Sequence, residues 1–406
     1  MTSVGDCRGR PSQPEFIVLM ALVIAQVALA IDSMLPALPL IASDLGVSDI
    51  NDSQHVILVF FAGMAIGQMI FGPMSDSLGR RPAIIAGFFV FVAGCALAIV
   101  ATDFGLMLLG RLLQGVGAAG PRIVSIALVR DQFSGREMAR IMSFIMTIFI
   151  VVPVFAPALG QLLLVIAHWR AIFVMLLLLA LLLLTWFWIR QPETLAREER
   201  IRFSTAGLLL DICAICRIRA ALGYTLTMGL VFGAFVGYLS SSQQILQVQY
   251  GLYQLFPLYF GILACAVGLA SLVNARLVMR FGMRRLSRFA LRAISLMSAF
   301  FWLYAWSQHG HPPLAMLMVY LLPLFFCFGI LFGNLNALAM EPLGRIAGLG
   351  SALVGSVSTL LSVLFGLLVA GAYDQTVLPL VAGFALLGLA SLASMHWTDA
   401  GLAPEH

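Results

Sequence analysis

The chain has 406 residues, is 61% hydrophobic and only 10% charged, and has a formal net charge of +5. A soluble domain carries roughly 25% charged residues, so this composition, with a mean hydropathy of +1.02, excludes a soluble globular protein and reads as a polytopic membrane protein. All 23 basic residues are arginine, which removes lysine-dependent phosphate loops, Schiff bases and pyridoxal chemistry.

An ATP-driven pump with its own nucleotide site is therefore not expected, nor is an enzyme, a cofactor or a metal. Energy must come from a gradient or a separate subunit. The basic balance suits loops facing anionic lipid rather than nucleic acid.

Residues 1–15 are polar, and an apolar run begins at Phe16. Ala28-Leu29-Ala30 has the form of a signal-peptidase site. Cleavage there would leave an odd number of spans and remove an acid, so the first span is read as 16–38. About 20 residues at 1.5 Å rise cross roughly 30 Å. On that measure further spans fall near 53–72, 83–101, 105–128, 140–163 and 170–189. The longest polar stretch, 190–219, follows. Six more spans lie near 221–242, 254–275, 289–307, 313–339, 346–372 and 376–396. Twelve spans split six and six imply an N-terminal six-helix bundle over 1–189, a cytoplasmic linker over 190–219 and a C-terminal six-helix bundle over 220–406.

Arginine placement sets the orientation. With the N-terminus inside, 20 arginines lie at cytoplasmic segments or the helix ends beside them, Arg170 alone is periplasmic, and Arg111 and Arg122 lie within spans. Both termini are expected in the cytoplasm. Cys95, Cys265 and Cys327 read as small core residues, and Cys213-x-x-Cys216 as packing on the linker. None of the six histidines is mid-span, which disfavours a histidine proton relay.

Gly72-Pro73-Met74-Ser75-Asp76-Ser77-Leu78-Gly79-Arg80-Arg81-Pro82 is a charged turn between spans 2 and 3, and makes them antiparallel neighbours. Gly282-Met283-Arg284-Arg285 repeats its basic end between spans 8 and 9, with Met279 where the acid would stand.

Asp32 is the one acid well inside a span, where an ionisable group is costly unless it has a partner or a function. It lies about six residues before the outer end of span 1, and Arg111 about six after the outer start of span 4. Both should sit roughly 9 Å below the periplasmic face. The pair is expected to meet, as a proton carrier or as a static ion pair. Arg122 lies toward the cytoplasmic quarter of span 4, either snorkelling or attracting an anionic part of a substrate. Pro153, Pro157 and Gly160 should bend span 5. Span 11, its counterpart, is rich in small residues that permit close contact. Gln26, Gln54, Gln68, Gln114, Tyr238, Gln243, Asn334 and Asn336 are candidate cavity residues. With 29 Phe and 19 Met, such a cavity suits bulky amphipathic ligands.

These segments resemble a twelve-helix drug:proton antiporter of the major facilitator superfamily, of the Bcr/CflA (bicyclomycin-resistance) type, over about 16–397. The likeness rests on Asp32-Ser33-Met34-Leu35-Pro36-Ala37-Leu38-Pro39, the 72–82 loop and Gly110-Arg111-Leu112-Leu113-Gln114-Gly115-Val116-Gly117-Ala118. Val129-Arg130-Asp131, Ala139-Arg140, residues 153–160 and Asn336-Ala337-Leu338-Ala339-Met340-Glu341-Pro342 complete it. Pro121-Arg122 and Gln161 depart from the pattern. The resemblance implies two rocking six-helix bundles with the cavity between helices 1, 4, 7 and 10. It also implies proton coupling at Arg111, a gating loop of Gly72, Asp76, Gly79, Arg80 and Arg81 that helps latch the outward-facing state, and an antiporter segment on helix 5. The expected activity is proton-driven efflux of hydrophobic or amphipathic molecules by a monomer in the bacterial inner membrane. An exporter dedicated to one metabolite, such as a siderophore or amino-acid-derived compound, and a membrane sensor or scaffold are the rival readings.

Overall fold

The computed structural model describes residues 11–200 and 217–401, and every long element in it is a helix. The Cys213-x-x-Cys216 motif lies outside the described residues. Twelve helices are long and apolar enough to cross a membrane. They are α1 Gln13–Asp32, α2 His55–Leu78, α3 Arg80–Ile99, α4 Phe104–Gln132, α5 Gly135–Ile166 and α6 Arg170–Arg190, then α7 Arg219–Gln243, α8 Phe256–Phe281, α9 Met283–Ser307, α10 Leu314–Met340, α11 Ala347–Gly371 and α12 Leu378–Asp399. Large apolar side chains such as Val165, Phe289 and Phe300 point outward, as a surface solvated by lipid requires. The chain is a multi-pass membrane protein.

Local chemistry explains the helix ends. Ser12 and Glu15 form a reciprocal capping box that starts α1. A 3₁₀ turn, Leu35–Ala37, and a two-turn helix, Leu38–Asp44, continue the chain, with Pro36 and Pro39 at their starts. The predicted 72–82 turn is almost entirely helical. Pro73 sits inside α2, and the chain breaks only at Gly79, whose φ of 116° suits glycine. Gly282, with φ 76°, makes the equivalent break between α8 and α9. Helix α5 runs unbroken through Pro153 and Pro157. The prolines remove single intrahelical bonds without interrupting it, because a tertiary neighbour holds each side of the segment.

The first six helices pack mainly among themselves, as do the last six, and two seams join the sets. Helix α2 lies along α11, and α5 lies along α8. In the first seam the Ser356 hydroxyl donates to the Ala65 carbonyl at 2.7 Å and the Gln68 amide to the Thr359 hydroxyl at 3.3 Å. In the second, Gly261 and Gly268 of α8 face Val154 and Ile150 of α5. Small residues in span 11 and the proline segment of span 5 thus occupy corresponding seams. Glycines on α2, α3 and α4 bring the backbones of α2 and α3 into direct contact with α4.

Candidate functional site

Asp32 is the last residue of α1 and is 5% exposed. It makes no ion pair and no hydrogen bond among the described residues. The Tyr238 phenol of α7, itself buried and without a hydrogen-bond partner, lies within electrostatic reach of it. The expected meeting with Arg111 does not occur in this conformation. Arg111 is fully buried and donates to the carbonyls of Val56 at 3.0 Å and Ala30 at 3.3 Å, and to the Gln114 amide oxygen at 2.6 Å. Its guanidinium lies 4.5 Å from the centre of the Phe60 ring. Helix geometry gives the reason. Arg111 reaches α1 at Ala30, and two residues at about 100° each turn Asp32 to roughly the opposite side, toward α7. Equal depth is legible in the sequence, but facing is not.

Several candidate cavity residues are also relocated. Gln114 is fully buried between Arg111 and Cys95, whose sulfur it meets at 3.0 Å, so it belongs to the interior of the first helix set. Asn334 exchanges two hydrogen bonds with Asn274 of α8, at 2.8 and 3.1 Å, and is buried in the α8–α10 seam. The mutual bonds occupy one donor and one acceptor site of each amide. Asn336, two residues on, is exposed. Gln26 is buried against Pro121 and Ala118, and its amide nitrogen has no acceptor. Arg122 is half-buried and has no hydrogen bond or ion pair among the described residues.

Two polar clusters bracket the interior. On the face opposite the arginine-rich loops, the Gln54 amide donates to Gln244 of α7's π-helical extension, and Gln244 donates to Asn51 at 3.3 Å. Asn51 donates to the Tyr373 carbonyl at 3.1 Å, and the Tyr373 hydroxyl to the Gln244 carbonyl at 3.3 Å. These bonds sew the start of α2 to the ends of α7 and α11. Gln54 stands out in the sequence; its partners do not, since amides in a loop give no signal until the fold joins them.

On the arginine-rich face Arg80 is 6% exposed and pairs with Asp76 and, at 2.8 Å, with Asp131. Glu193 accepts from the backbone N–H groups of Arg80 at 2.9 Å and Arg81 at 3.1 Å, capping α3 from 113 residues away. Arg81 reaches the Trp188 carbonyl at 2.8 Å. In the second set Asp399 at the end of α12 pairs with Arg288 at 3.7 Å and accepts from Tyr224 at 2.6 Å. Each of these ion pairs stays within one helix set, whereas the opposite face is sewn across.

A carboxylate on free N–H groups at a helix start is worth about 1 kcal/mol. Glu193→Ala should therefore lower stability by about that amount, read as an earlier unfolding transition on denaturant titration of the purified protein, while Glu193→Gln should retain part of it.

On α5, Gly160 lies against the backbone of Ser33 in α1, so any side chain there lands on a carbonyl that cannot swing away. Pro157 is buried and Pro153 half-buried beside it. Gly160→Val should cost about 1–3 kcal/mol by overpacking, and should separate α1 from α5 beside Asp32. A thermal melt of the variant checks this; an unchanged midpoint would contradict the contact.

The comparisons with known proteins agree with this architecture. The model of the Major Facilitator Superfamily matches residues 20–367. The chain is similar to the uncharacterized MFS-type transporter YdgK of Bacillus subtilis, 33% identical over 359 residues and covering 87% of this chain and 88% of that one. It is also similar to the bicyclomycin resistance protein homolog of Haemophilus influenzae, 30% identical over 373 residues and covering 90% and 91%. The crystal structure of a D-xylose-proton symporter shares the fold, with a TM-score of 0.73 at 13% identity over 94% of this chain and 97% of that one. With twelve spans, two corresponding seams and a family match across most of its length, the chain belongs to the major facilitator superfamily of membrane transporters.

Proposed function

We propose that this transporter exports hydrophobic or amphipathic small molecules across the inner membrane in exchange for protons, by alternating access. The arginine-rich face is then cytoplasmic, as are both termini, and residues 1–189 and 220–406 are the two rocking bundles joined by the 190–219 linker. In this conformation the periplasmic side is closed by the Asn51, Gln54, Gln244 and Tyr373 bonds.

The observation that carries the reading is Asp32: a buried carboxyl with no ion pair among the described residues, at the end of α1 and within electrostatic reach of Tyr238 on α7. Burial and solvation act on a carboxyl in opposite directions, so opening the seal and letting water reach Asp32 exchanges its proton. One proton moving down about 100 mV supplies roughly 2.3 kcal/mol, enough for about a fifty-fold concentration ratio. Arg111 then works as a strut between α1, α2 and α4 that holds Asp32 toward α7. The Asp76–Arg80–Asp131 cluster keeps the cytoplasmic ends of α2, α3 and α4 together while the bundles move. The relatives' resistance names favour drugs as cargo.

The test is transport in everted vesicles with a pH-gradient dye and a panel of unrelated toxic compounds, bicyclomycin included. Substrate-dependent proton movement for several of them is the expected result. Movement for one acidic metabolite alone would favour a dedicated exporter, and movement for none would return the protein to a sensing or scaffolding role.

A further inference from the structure

We propose that Arg122 forms an anion-recognising subsite in the transport cavity, and that the substrates include amphipathic organic monoanions such as aromatic carboxylates. This deepens the efflux reading and rests on it.

Arg122 follows Arg111 by 11 residues, three helical turns with about 20° of drift, so both lie on one face of α4. Arg111, Ala118 and Ser125 on that side of the helix are buried within the protein. That side of α4 is packed against its neighbours at these positions, and Arg122 stands half-exposed among them. Span 4 continues about six residues past it, roughly 9 Å of rise, so its guanidinium sits inside the span rather than at its edge.

A guanidinium this deep is costly unless something answers it. No carboxylate acts on it, and no hydrogen bond or ion pair holds it among the described residues. A donor without an acceptor asks for a ligand that brings its own.

An apolar body has somewhere to go. The half-buried rings of Phe232 and Phe235 stack, both meet Phe332 edge-on, and Phe232 touches Phe61 of α2. Gly63, two residues from Phe61, adjoins Leu112 of α4, so these rings lie about 15 Å from Arg122 along the helix, toward the end of α4 opposite the arginine-rich face. Asn336, exposed and one turn beyond Phe332 on α10, adds a polar group toward the open end.

The test compares 1-naphthylacetate with its neutral amide, binding to purified protein in nanodiscs by calorimetry. A charge-assisted hydrogen bond is worth about tenfold or more in affinity. The wild type should bind the acid at least about tenfold tighter than the amide. Arg122→Gln should abolish that preference while still binding the amide, which shows that the variant is folded, and Arg122→Lys should keep most of it. No preference in the wild type, or a preference that survives Arg122→Gln, overturns the proposal. Nanodiscs of phosphatidylcholine with and without phosphatidylglycerol separate a soluble anion from a lipid headgroup: unchanged affinity supports the former, and loss of acid binding with the anionic lipid overturns it. Failure of these binding arms leaves proton-coupled transport of neutral compounds to be judged separately in vesicles.

Discussion

Replacing Asp32 by asparagine is expected to abolish pH-driven accumulation while leaving substrate binding largely intact. The substitution keeps the shape of the side chain and removes its exchangeable proton. A ratio of about fifty-fold per 100 mV, sustained by one proton, should fall to about one. Downhill exchange of substrate across the membrane should persist, because the bundles can still rock around a neutral residue. Vesicle uptake with and without an imposed gradient separates the two. Accumulation by Asp32→Asn at the wild-type level would remove Asp32 from the coupling mechanism. The small environment around the carboxyl makes the experiment clean: Tyr238 is the polar neighbour within electrostatic reach, and no ion pair is broken by the change.

Arg111 should behave differently. Its three hydrogen bonds tie α4 to α1 and α2 and to Gln114 on its own helix. Bonds made by a charged group contribute about 1.5–3 kcal/mol each, so Arg111→Ala should destabilise the protein by at least about 3 kcal/mol. Lysine cannot serve carbonyls on two helices with one compact charge, and Arg111→Lys should recover little. The expected readout is a drop in melting temperature of several degrees and reduced yield for both variants, with transport lost as a consequence. A variant with a wild-type melt that still fails to transport would instead assign Arg111 to coupling directly, as the family resemblance implies.

Much of this was legible in the sequence because a bilayer is a severe solvent. Twelve apolar runs and the arginine asymmetry follow from the cost of exposing polar groups to hydrocarbon. Asp32, Arg111 and Arg122 stood out because ionisable groups are rare there. What stayed hidden depends on rotation about helix axes and on distant partners. Asp32 and Arg111 share a depth, yet Ala30 and Asp32 point apart on α1, and no pattern in one sequence reports that. Glu193 caps α3 from 113 residues away, and Asp399 of α12 pairs with Arg288 of α9. The 72–82 segment reads as a loop because its residues are polar, but polarity there marks the end of the bilayer, and α2 continues to Leu78. The amide seal is built from residues on α7, α11 and the approach to α2, so it exists only once the two helix sets meet.

Infrared difference spectroscopy of the purified protein, titrated in pH, tests most directly whether Asp32 carries the proton. The wild type should lose a protonated-carboxyl C=O band as pH is raised, and the band should be absent from Asp32→Asn. The same band in Asp32→Asn, or none in the wild type, would contradict the account.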